Sequence, residues 1–159
     1  MAVATADRAI TRSEPRAVDA TAWGLFVVRL GLGIIFFAHG AQKTFGLWGG
    51  APLADSAAKM THMGVPLFLA YVAILTELLG GVALVLGVFS RIAGIALIID
   101  MAVAIALVHG KNGFFMGNPP GFEYNLALIM MALAVTIAGP GAAGLADLEA
   151  KLFSRRTQG

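Results

Sequence analysis

An all-α membrane protein, built as an antiparallel bundle of four transmembrane helices with both termini in the cytoplasm, is the fold class this sequence predicts. Three observations carry that expectation. Of the 159 residues, 58% are hydrophobic and only 13% charged, with a mean hydropathy of +0.84, which is the composition of a chain that lives in lipid. Apolar stretches of about 18–24 residues recur along the chain, and at 1.5 Å per residue each spans roughly the hydrocarbon core of a bilayer. Twenty glycines suit helices that approach closely where lipid supplies no hydrophobic drive between them.

In chain order, residues 1–22 are polar and charged, with Arg8, Arg12 and Arg16 against Asp7, Glu14 and Asp19, and read as a cytoplasmic tail. Trp23, an interfacial aromatic, opens the first span over residues 23–46. A polar piece follows, in which Ala51 to Met63 is expected to form a short helix on the membrane surface, with Met60 and Met63 facing lipid or protein. Pro66 marks the start of the second span, because its missing N–H costs nothing in a first turn. That span runs to about Phe89, and the short Ser90-Arg91 connection forces a hairpin with the third span, residues 92–109. The loop from Lys111 to Gly121 leads to the fourth span, residues 122–138, stopped by Gly139-Pro140-Gly141. Over residues 141–159, Leu145, Leu148, Leu152 and Phe153 recur at helical spacing opposite Asp147, Lys151 and Arg155, as in an amphipathic cytoplasmic tail helix.

With four crossings, Arg8, Arg12, Arg16, Arg91, Lys151, Arg155 and Arg156 fall on the side of the termini and Lys43, Lys59 and Lys111 on the other. The positive-inside rule then sets the termini and the Arg91 turn in the cytoplasm. No cysteine is present, so thiolate nucleophiles, disulfide exchange and cysteine-ligated metal centres are excluded for this chain. The net charge of +2 is small and its basic residues lie in the tails, which argues against nucleic acid as a partner. The lipid bilayer is the expected environment, and homo-oligomerisation is left open.

Ionisable residues within the spans are the candidates for function, since a charge at the bilayer centre costs from about 2.5 to over 10 kcal/mol unless paired or hydrated. Counting depth puts Arg29 about 9 Å inside the first helix, Asp100 at similar depth above the Arg91 turn, and Glu77 near the midplane. Arg29, Glu77 and Asp100 are therefore expected as an inner polar cluster, either a proton-handling, quinone-facing site or a buried ion pair that fixes helix register. A third reading has Arg29 snorkelling to the headgroups. An outer cluster is expected from His39 and Lys43, His109, and Glu123 with Tyr124, able to hold a polar head group or an anion. The plain alternative makes Lys43 and Tyr124 interfacial anchors and Glu123 a helix-dipole charge. His39 and His109 could serve as axial haem ligands, but nothing in their spacing singles haem out. No metal site is expected otherwise.

The order of Arg29, the Phe-Ala-His-Gly-x-x-Lys run of residues 37–43, Gly64-Val65-Pro66, Glu77-Leu78-Leu79-Gly80-Gly81 with Gly87, Arg91, Asp100-Met101, His109 before Gly113-Phe114, and Gly121-Phe122-Glu123-Tyr124-Asn125-Leu126 resembles the DoxX family of small four-helix bacterial membrane proteins. The resemblance covers residues 23–140. It implies a membrane subunit of a redox system that meets quinone or a small thiol or sulfur compound. Relatives are described as subunits of a thiosulfate:quinone oxidoreductase, as partners of superoxide dismutase and a sulfurtransferase in a mycobacterial membrane complex, and in quinone or catechol stress. Soluble redox chemistry would then fall to a partner. A membrane anchor or assembly factor for an oxidoreductase or respiratory complex, and a transporter of a small polar solute, are the alternatives from other functional classes.

Overall fold

A computed structural model describes residues 19–145; the two tails, with the amphipathic segment expected beyond Leu145, lie outside the described residues. Among the described residues there are five α-helices: α1 (Ala20–Phe45), α2 (Leu53–His62), α3 (Leu67–Leu86), α4 (Ser90–Ala104) and α5 (Glu123–Ala138). A π-helical turn, Ile105–His109, prolongs α4. Among the described residues there is no strand, only an isolated bridge between Phe45 and Pro52. The α1 and α3 helices and the extended α4, Ser90–Asn112, are long and apolar enough to cross a membrane, while α5 is a shorter apolar helix.

Local chemistry fixes the helix ends. Asp19 caps α1 by accepting from the backbone N–H groups of Thr21 and Ala22, 3.0 and 3.1 Å away, so the helix begins three residues before the expected Trp23. At its other end Gly46 takes a left-handed conformation, φ 70°, that a side chain would resist. Pro66 precedes α3, as its sequence position predicts. The hairpin after α3 is built from Gly87 to Phe89, not from Ser90 and Arg91, which already belong to the first turn of α4.

The α1 helix packs antiparallel against α3 at backbone contact distance. A Cβ on Gly40 would fall onto the backbone nitrogen of Leu78, and one on Gly81 onto that of Phe37. These glycines are what lets the two backbones meet. Gly40→Leu is expected to force the pair apart and lower stability by about 2 kcal/mol or more, read as a fall in the unfolding midpoint in lipid nanodiscs; an unchanged midpoint would contradict this packing. Leu32, Phe36, Leu84, Leu97, Met101, Leu128 and Val135 fill the core between α1, α3, α4 and α5.

This register also shows that α1 is displaced along the bundle. Lys43, near its end, lies level with Glu77 in the middle of α3, and Arg29 lies level with Leu84 in the last turn of α3. The first turns of α1 therefore extend past the end of α3, where the segment after α5 lies along them, with the Ala142 N–H donating to the Ala22 carbonyl at 2.8 Å. At the opposite end α3 outruns α1, and α2 packs against the surplus through buried Ala57, Val65, Ala70 and Ile74.

Candidate ligand site

Arg29 is fully buried, and its position decides what it can reach. Leu84 is seven residues beyond Glu77 in α3, about 10 Å along the helix axis, so the guanidinium at the level of Leu84 is out of reach of the Glu77 carboxylate. Its Nε donates to the Pro140 carbonyl at 2.7 Å, Nη1 to those of Leu84 and Val85, and Nη2 to those of Ala142 and Ala143 at 3.3 and 3.4 Å. The Phe26 ring lies 5.3 Å from its Cζ. The five N–H donors of an arginine are thus spent on carbonyls at the end of α3 and on the segment after α5, where a cation also suits the helix dipole. Arg91 does the same for α5, donating at 2.7 Å to the carbonyls of Thr136 and Ile137. The expected inner cluster of Arg29, Glu77 and Asp100 is accordingly corrected: Arg29 leaves it.

Glu77 pairs instead with Lys43. The ammonium lies 2.6 Å from Oε1 and 2.7 Å from Oε2, and the Glu77 side chain is 6% exposed. The separation of an inner from an outer group is also corrected, because Lys43, Glu77, Asp100, His39, His109 and Tyr124 all line one chamber of about 350 Å³. Every helix contributes to its wall: Phe36 from α1, Met60 from α2, Ala73 from α3, Met101 and Ala104 from α4, Asn125 and Leu128 from α5. His39 and Tyr124 are exposed at its rim, and Met60 and Met63 close it from the α2 side. The short helix expected on the membrane surface thus ends over the chamber.

Inside, Asp100 has a buried carboxylate oxygen, Oδ2, with no hydrogen-bond partner among the described residues. A buried acceptor without a donor is costly, and such an exception calls for an explanation. His109 is delivered to the chamber by the π-helical turn, with its Nδ1 3.2 Å from the Pro120 carbonyl. Asn112 donates to the same carbonyl at 2.9 Å, which ties the loop to the end of the extended α4. Such turns insert one residue into a helix and recur at functional sites. Glu123 stands apart from the wall: its carboxylate accepts from the Met116 N–H at 2.6 Å and holds the loop down over the chamber.

The residues that reading the sequence passed over as site candidates are Asn125 and the two methionines. Asn125 is buried, its Nδ2 3.4 Å from the Met101 sulfur. An amide within an apolar span is itself a signal, since such groups need a partner in lipid. Methionines at a chamber wall offer adaptable apolar surface, which no spacing reveals. Among the described residues no group of three or more histidine, aspartate or glutamate side chains is placed to hold a metal ion.

The chamber is mostly apolar, carries a half-buried ion pair and an unpartnered carboxylate oxygen, and sits within a set of membrane-length helices. That combination describes a multi-pass helical membrane protein with an internal chamber. Comparison with known proteins gives the family: the DoxX family model matches residues 24–110, and the chain belongs to the DoxX family. It is similar to "Putative oxidoreductase CatD" of Bacillus subtilis (strain 168), 38% identical over 113 residues, which cover 71% of this chain and 78% of that protein. No solved structure matches.

Proposed function

We propose that this protein is the membrane subunit of a redox system and that its chamber binds the ring of a quinone. In this reading the chain crosses the bacterial inner membrane four times, with α5 as the fourth span and both termini in the cytoplasm, as the tail arginines and lysines favour. The observation that carries the proposal is the meeting of the Lys43–Glu77 pair and the unpartnered Asp100 oxygen in one otherwise apolar chamber. Reduction of a quinone to a quinol takes two electrons and two protons. The electrons would come from a partner oxidoreductase subunit. The Lys43 ammonium can donate to one ring oxygen, and a protonated Asp100 can satisfy its own oxygen by donating to the other. Glu77 holds the Lys43 ammonium in place with both carboxylate oxygens, and the two protons that leave with the quinol are replaced from water. The relative named as an oxidoreductase supports the redox class.

A quinone analogue should quench the protein's tryptophan fluorescence in lipid nanodiscs saturably. Asp100→Asn and Glu77→Gln are each expected to weaken that binding about tenfold, or ~1.4 kcal/mol. Unchanged binding in both variants would remove the chamber as the site. Displacement of the quinone by thiosulfate or a small thiol would move the assignment to a sulfur compound at the same residues.

A further inference from the structure

On the outer side of the α3–α4 hairpin a groove runs beside the chamber. Its part next to the chamber, about 270 Å³, is lined by Leu69, Val72, Thr76, Ala96, Ile99 and Asp100, with Met60 at its end. A second part, about 400 Å³, continues from Val72, Thr76 and Ala96 down to Ala83 and Ile92 at the hairpin. From Leu69 to Ala83 the groove follows fourteen residues of α3, about 21 Å. Thr76 and Asp100 are the polar residues in its lining, and the flanking Leu79 and Ile92 are 64% and 66% exposed. In a protein of this composition that face meets lipid.

The groove and the chamber share Met60, Ala73, Asp100 and Ala104. The Asp100 side chain therefore stands in the partition between the chamber that holds the Lys43–Glu77 pair and an apolar furrow open to the bilayer. We infer that the ligand is a membrane-dissolved amphiphile, whose head sits in the chamber while its hydrocarbon tail passes between α3 and α4 beside Asp100 and lies in the furrow. The shared wall of the two spaces carries the inference: the unpartnered carboxylate oxygen of Asp100 stands beside an apolar track far longer than a head group needs. A water-soluble thiol would have no use for the track. The inference rests on the chamber being the head-group site, and it adds the class of ligand and its path of access.

Ala96 lines both parts of the furrow but not the chamber, so Ala96→Phe blocks the track and leaves the head site intact. Binding of a decyl-substituted benzoquinone and of the same ring without the tail is compared in nanodiscs, on a mole-fraction scale that removes partitioning into lipid. The wild type is expected to bind the tailed compound about tenfold more tightly, and Ala96→Phe to erase that difference while binding the tailless ring as the wild type does. Ile95→Phe, on the same helix and 50% exposed, controls for added bulk and should keep the difference. A tail increment that survives Ala96→Phe overturns the inference while the chamber stands. An altered oligomeric state with no change in the tail increment would overturn it too, by giving the furrow to a second copy of the chain. Failure of the wild type to bind either ring would overturn the head site and the furrow together.

Discussion

Replacing Lys43 by methionine is expected to destabilise the protein by about 3–5 kcal/mol, because it leaves the Glu77 carboxylate buried without its counter-ion. The ammonium holds both carboxylate oxygens, at 2.6 and 2.7 Å, so a single substitution removes two charge-assisted hydrogen bonds at once. The cost arises from the orphaned charge and not from the pair's own strength. Lys43→Met combined with Glu77→Leu should therefore recover most of the lost stability, since a buried ion pair replaced by apolar groups is often neutral. The double variant should nevertheless fail to bind the quinone analogue. Unfolding free energies of the three variants in lipid, by steric trapping or reversible denaturation, form the check. A Lys43→Met protein as stable as the wild type would show that the pair is not maintained.

Arg29→Leu is expected to cost a similar amount, for a different reason. Four carbonyls lose their donor, Val85 at the end of α3 and Pro140, Ala142 and Ala143 after α5, while that of Leu84 keeps the Gly87 N–H at 3.2 Å. Each buried carbonyl left unpaired costs about 1–3 kcal/mol, and relaxation of the segment toward water recovers part of it, so a loss of about 4 kcal/mol is anticipated. Arg29→Lys should rescue only partly, because three donors on a flexible stem cannot serve a fork of five acceptors. Any Arg29 variant that remains folded should bind ligand as the wild type does, since the chamber lies about 10 Å further along α3. Loss of binding with retained stability would instead tie Arg29 to the site.

The helical fold was legible because apolar runs and their punctuation are local. Pro66 before α3 and Gly139-Pro140 after α5 stop or start helices through their own backbone chemistry, whatever they pack against. The membership of the site was only half legible. Glu77, Asp100, Lys43, His39, His109 and Tyr124 stood out because each is an ionisable or polar group in an apolar span. Their grouping did not follow, since depth was counted from assumed helix ends as though all helices started at the same plane. The offset of α1, fixed by where Gly40 and Gly81 allow backbone contact, moved Lys43 level with Glu77 and Arg29 away from it. Capping of helix-end carbonyls by Arg29 and Arg91 was equally hidden, because backbone acceptors have no signature in the sequence.

The central claim, that one chamber shared by all the helices is the ligand site, is tested most directly by photolabelling. An azido-quinone irradiated with the protein in nanodiscs and mapped by peptide mass spectrometry should attach to the chamber walls, at Met60 or Met63 of the α2 end and Tyr124 of α5. Excess unlabelled quinone should prevent that attachment. Labelling confined to lipid-facing positions such as Ile34 and Ile137, with no protection by unlabelled quinone, would contradict the claim.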